Sequence, residues 1–99
     1  MPFINHLTFP HLIAIFLKMM ELFLTAHAEV VIAERNIQLR WIQQILEHPE
    51  KVEVDGADQE LVHALGKVAE HGDRVLRVVH SRTLPMRIVT AYFAMRGKL

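Results

Sequence analysis

Residues 74–93 hold two β-branched, aromatic-rich runs, Arg-Val-Leu-Arg-Val-Val-His-Ser and Met-Arg-Ile-Val-Thr-Ala-Tyr-Phe, with Arg82-Thr83-Leu84-Pro85 between them. Proline has no ladder N–H and restricts the residue before it, so it belongs between strands and not inside one. The two runs are therefore expected to close into an antiparallel hairpin. Strict alternation puts Val89, Ala91 and Phe93 on one face of the last strand and Ile88, Thr90 and Tyr92 on the other. If helices cover the Val89/Phe93 side, the opposite side carries Arg77, Thr90 and Tyr92 as the polar members of an otherwise apolar surface. That face is the candidate working surface.

The preceding residues supply what such a hairpin needs to form a core. Residues 21–24 read as a short strand, and Thr25 stands where a helix N-cap belongs. In the following helix Ala28, Val31, Ile32 and Arg35 share one side. Asn36 ends that helix, because asparagine tolerates the left-handed conformation found at helix ends. Residues 38–48 form a second helix with Leu39, Ile42 and Leu46 on one stripe, widened by Trp41 and Ile45, and Pro49 closes it. Val52 and Val54 alternate with Lys51, Glu53 and Asp55 as a half-buried strand, and Gly56-Ala57-Asp58 reads as a turn. A longer strand over residues 60–69 divides into Val62, Ala64, Gly66 and Val68 against Leu61, His63, Leu65 and Lys67. Gly66 marks a bulge or a close backbone approach. The expected fold is α+β, with two N-terminal helices on one face of an antiparallel sheet of about four strands.

With 99 residues the chain makes one small domain. The compact part is expected over residues 20–99, with residues 1–19 an apolar extension of uncertain origin. The run from Leu12 to Leu17 is cut by Pro10, Lys18 and Glu21, well short of the roughly 20 residues a membrane span needs. No Lys or Arg precedes Leu12, which argues against a secretory signal. The extension either covers the sheet or mediates self-association, and the oligomeric state is left open.

The formal net charge is zero, but its distribution is uneven. All eleven acids fall between Glu21 and Asp73, while the chain from Arg74 onward carries Arg74, Arg77, Arg82, Arg87, Arg96 and Lys98. One pole of the molecule is therefore basic, either a solvated edge or a footprint for phosphates or an acidic partner. There is no cysteine, which excludes disulfides and thiolate metal sites and fits a reducing cytoplasm. The seven histidines show no His-x-His or His-x-x-x-His spacing, so no metal and no cofactor is expected.

Thr25-Ala26-His27-Ala28, Glu34-Arg35-Asn36-Ile37, the helix end at His48-Pro49, Arg74-Val75-Leu76-Arg77-Val78-Val79 and Ile88-Val89-Thr90-Ala91-Tyr92, in that order and spacing, resemble an uncharacterised bacterial family, domain of unknown function 4258. The family is similar to the RelE and barnase-like ribonuclease fold, and its members are thought to include toxins of toxin–antitoxin pairs. The positions that match the family are His27, Arg35, Thr90 and Tyr92, and the expected location is the cytoplasm. Two departures stand out: Val31 replaces an arginine that many members carry, and Asn36 replaces the usual helix-end glycine.

Metal-independent RNA cleavage by attack of the 2′-hydroxyl needs a base, a cation for the phosphate and a donor to the leaving oxygen. His27 lies in a first helical turn, where unpaired N–H groups and the helix dipole favour the neutral imidazole, so it is the candidate base or acid. Arg35 and Arg77 would hold the phosphate, and Thr90 and Tyr92 would position it or donate protons. Arg74, Arg82, Arg87, Arg96, Lys67 and His63 are the candidate RNA-binding residues, with His63 also a possible second proton carrier. The expected function is a toxin-like endoribonuclease acting on RNA and held by a small acidic antitoxin-like protein. The alternative is a non-catalytic module whose basic hairpin docks on RNA or an acidic protein.

Overall fold

The computed structural model describes residues 23–94. The elements are β1 (Phe23–Leu24), α1 (Ala26–Glu34), α2 (Leu39–Glu47), β2 (Lys51–Val54), β3 (Leu61–Val68), a 3₁₀ turn (Ala69–His71), β4 (Arg74–Ser81) and β5 (Arg87–Phe93). The five strands lie in the order β1-β5-β4-β3-β2, antiparallel except that β1 runs parallel to β5. The chain is thus α+β with both helices preceding most of the strands. The expectation of about four strands in a purely antiparallel sheet is corrected: the short first strand joins as a fifth, alongside the last. Expectations for residues 1–22 and for Arg96 lie outside the described residues.

Both helices pack on one face of the sheet. Ala28, Val31 and Ile32 of α1 and Trp41, Ile42 and Ile45 of α2 meet Ala64 and Val68 of β3, Leu76 and Val78 of β4, and Ile88 and Ala91 of β5. Thr25 caps α1: its hydroxyl accepts from the Ala28 amide at 3.1 Å, satisfying one of the free donors of the first turn. Asn36 ends the helix with φ of 54°, and Ile37 folds back so that its amide reaches the Ile32 carbonyl at 3.0 Å. Glycine has no Cβ to resist this conformation. Asn36→Gly is therefore expected to stabilise the fold by about 0.5–1 kcal/mol and Asn36→Ala to destabilise it by about 1 kcal/mol. Urea denaturation of the two variants checks both signs.

Gly66 fits the close-approach reading. A Cβ there would sit 3.3 Å from Ile45 Cγ1, tighter than ordinary van der Waals contact, so the missing side chain lets α2 settle onto β3. At the start of α2, Arg40 pairs with Glu70 of the 3₁₀ turn at 2.9 Å, and the indole N–H of Trp41 donates to the same carboxylate. Trp41, His71 and Phe93 form a ring cluster, and Arg74 lies 4.9 Å above Phe93.

The hairpin turn is pinned by Ser81, whose hydroxyl accepts from the Arg87 amide at 2.8 Å and donates to the Thr83 carbonyl at 3.2 Å. Within the hairpin, one expectation fails. Val79 pairs with Thr90 but His80 pairs with Ile88, so Val89 is an extra residue in β5. This bulge reverses the alternation below it. Ile88 turns into the helix-side core with Ala91 and Phe93, while Val89 has no place in that cluster. Thr90 and Tyr92 keep the opposite face, as expected.

On that second face Leu65, Val75 and Val79 are also buried. The second face of the central strands therefore carries buried apolar side chains beside its polar ones.

A polar chain across the second sheet face

Four side chains on this face form a continuous hydrogen-bonded chain. The register places Glu53 opposite His63 and Arg77 opposite Leu65 on one side and Tyr92 on the other. Alternation then puts Glu53, His63, Arg77, Thr90 and Tyr92 on one face. Asp55 Oδ1 lies 2.6 Å from His63 Nε2, Arg77 Nη1 lies 2.7 Å from His63 Nδ1, and the same Nη1 donates to Glu53 Oε1 at 3.0 Å. Carboxylates only accept and guanidinium groups only donate. His63 is therefore in its Nε2–H form, donating to Asp55 and accepting from Arg77. The His63 and Arg77 side chains keep 14% and 22% of their surface exposed.

Asp55 is held from two sides. Its Oδ1 meets His63, while Oδ2 accepts the Ala57 and Asp58 amides at 3.0 and 2.9 Å. The β2–β3 turn thus fixes the carboxylate that fixes the imidazole. The His63 hydrogen bond, then the Ala57 and Asp58 amides, hold the Asp55 carboxyl below its ordinary range. The Arg77 hydrogen bond chiefly does the same for Glu53, and the Arg40 and Trp41 hydrogen bonds for Glu70. A depressed folded-state value means that the unfolded chain binds protons more readily at acid pH. Stability contributed by these carboxylates is full above the ordinary carboxylate range, near about 4, and is lost as pH falls through the depressed values. The urea midpoint is expected to stay level from neutral pH to that range and then fall, with a shallower fall in Asp55→Asn; a midpoint that rises on acidification would contradict the pairing.

The helix-layer candidates are placed elsewhere. His27 is exposed in the first turn of α1. Arg35, at the end of α1, donates to the Ala91 carbonyl at 2.8 Å. Ala94 N bonds Val75 O at 2.8 Å, so by alternation the Ala91 carbonyl points away from β4, and Arg35 supplies the partner that β1 is too short to give. Thr25 does likewise, its amide donating to Ile88 O at 3.0 Å and its hydroxyl to Val89 O at 3.4 Å. The structure therefore brings together Arg77, His63, Thr90 and Tyr92, and leaves His27 and Arg35 on the helix layer. Lys67 and Arg87 lie at opposite ends of the second face, Arg74 sits over Phe93, and Arg82 donates to Gln59 O at 3.0 Å.

A family model described as a domain of unknown function, DUF4258, matches residues 24–93, from β1 through β5. The chain belongs to the DUF4258 family. Neither a curated protein nor a solved structure matches it. In this DUF4258 domain Thr25, Arg35 and Asn36 do structural work, capping α1, partnering a β5 carbonyl and ending the helix. Val31, where many members were expected to carry arginine, is buried in the core.

Asp55 and Glu53 were missed as site residues. Their roles were not readable: a turn confined to Gly56-Ala57-Asp58 would set Glu53 opposite Leu61, whereas the turn runs on to Glu60 and sets Glu53 opposite His63, with Asp55 one step beyond. Among the described residues no group of three His, Asp or Glu side chains is arranged to hold a metal, and no helix is long and apolar enough to cross a membrane.

Proposed function

We propose that this DUF4258 domain is a toxin-like, metal-independent endoribonuclease centred on His63 and Arg77. The observation that carries the reading is the Asp55–His63–Arg77 chain, a carboxylate-oriented imidazole capped by a guanidinium, on the face that also bears Thr90 and Tyr92. In this reading RNA phosphate draws Arg77 away from His63, because the planar fork meets phosphate oxygens two at a time. His63 Nδ1, now free, takes the 2′-hydroxyl proton. The 2′-oxygen bonds to phosphorus, the bond to the 5′-oxygen breaks, and Tyr92 protonates the leaving oxygen, giving a 2′,3′-cyclic phosphate and a 5′-hydroxyl. Asp55 holds the ring through Nε2, Glu53 returns Arg77 to its resting place, and Thr90 positions the phosphate. Lys67 and Arg87 extend the phosphate track, while Arg82 and Arg87 at the hairpin end suit a small acidic antitoxin-like protein. Two helices on one face of the sheet and polar residues on the other suit the RelE and barnase-like plan.

The second reading, a non-catalytic RNA-binding or protein-binding module, is favoured by the engagement of both His63 nitrogens at rest. The test offers the protein an oligoribonucleotide and its 2′-deoxy counterpart in chelator. Cleavage of the ribose form alone, with a cyclic phosphate product, supports the nuclease. Binding of both with neither cut replaces it with the module.

A further inference from the structure

Beyond the two-residue β1, the outer long strands of the sheet are β5 and β2, and they are finished differently. Along β5 the outward carbonyls of Ile88, Val89 and Ala91 are taken by Thr25 and Arg35. At the other margin, β2 has no such cover among the described residues. The Asp55 amide donates to Leu61 O at 2.9 Å, in register with Glu53 opposite His63 and Lys51 opposite Leu65. Residues 51, 53 and 55 thus turn their backbone groups toward β3, which leaves the amides and carbonyls of Val52 and Val54 facing outward. Their side chains are 57% and 50% exposed, on the helix side of the sheet but beyond the reach of α2.

We propose that β2 is a self-association edge, on which a second copy of the chain adds its own β2 antiparallel about a two-fold axis through Val52. The charges of the strand select this occupant and this register. With Val52 opposite Val52, Lys51 of each copy faces Glu53 of the other, giving two cross-strand ion pairs and an apolar pair on the other side. The outward amide and carbonyl of each Val52 exchange both hydrogen bonds. Sliding the axis one residue either way sets Lys51 against Lys51 or Glu53 against Glu53, with like charges directly opposed. The axis stands perpendicular to the sheet, so both His63–Arg77 chains face the same way on one extended surface. An edge of four residues makes a small interface, and the association is correspondingly weak.

The chain contains no cysteine, so single-cysteine variants of the full chain report the register without background. Sedimentation from about 10 µM to 1 mM is expected to show a concentration-dependent dimer. Val52→Cys is expected to form a disulfide dimer on oxidation at least about tenfold faster than Val54→Cys, because only position 52 meets itself across a hydrogen-bonded pair. Lys51→Glu, which sets glutamate against Glu53, is expected to weaken the dimer about tenfold. Circular dichroism of the three variants confirms that the domain is intact. A monomer throughout the concentration range overturns the proposal, including the case in which β2 accepts only another protein's strand. Equal cross-linking at positions 52 and 54, or a dimer indifferent to Lys51→Glu, overturns it as well.

Discussion

Ile42→Ala is expected to lower stability by about 3–4 kcal/mol, within the range for deleting a fully buried branched side chain. Ile42 is completely buried where α2 crosses the sheet, packed with Trp41, Ile45 and the inward side chains of β3 and β4. Truncation removes apolar contact and leaves a cavity that the stiff sheet below cannot close. A domain of this size has roughly 5–15 kcal/mol in total, so the loss is a large share of it. At about 4–8 °C per kcal/mol the melting temperature should fall by roughly 12–32 °C. Leu39→Ala, at the start of the same helix and half exposed, should cost less than about 0.5 kcal/mol. Equal losses at the two positions would mean that α2 does not sit on the sheet with the face described.

The contrast between Ile42 and Leu39 was partly legible in the sequence. The apolar stripe of α2 identified Ile42, but it also included Leu39, which lies at the helix start beyond the sheet. Features set by local chemistry were read correctly: Thr25 as a cap, Asn36 as a helix end, Pro85 in a turn, Gly66 as a close approach. Those set by pairing between distant segments were not. Nothing in Phe23 and Leu24 says that they run parallel to β5, and an extra residue in an alternating run such as Ile88-Val89-Thr90 leaves no compositional trace. The candidate site follows the same division. Arg77, Thr90 and Tyr92 could be assigned to one face because alternation along a strand is local. Asp55 and Glu53 acquire their roles only through the β2–β3 register, and His27 was grouped with Arg77 because sequence motifs carry no information about which side of a sheet each residue occupies.

The second large effect is on cleavage. Under the nuclease reading, His63→Ala should reduce the single-turnover rate on an oligoribonucleotide by about 10²–10⁴-fold, the usual contribution of a positioned general base. His27→Ala, on the opposite side of the sheet, should change it by less than about twofold. Asp55→Asn should fall between them, because asparagine can keep a hydrogen bond to Nε2–H but cannot stabilise the imidazolium that forms when the ring takes a proton. Arg77→Lys should recover only part of the loss seen in Arg77→Ala, since an ammonium keeps the charge and loses the fork. The reverse order, with His27→Ala inactive and His63→Ala unchanged, would move the chemistry to the helix layer.

The most direct measurement is the tautomer of the His63 ring by long-range proton–nitrogen NMR at neutral pH, alone and with a 2′-O-methyl oligonucleotide that cannot be cut. The account predicts a proton on Nε2 and a hydrogen-bonded, unprotonated Nδ1 in the free protein, with the Nδ1 resonance shifting as Arg77 leaves for the phosphate. A proton on Nδ1 in the free protein, or an Nδ1 signal unmoved by a bound oligonucleotide, would contradict it.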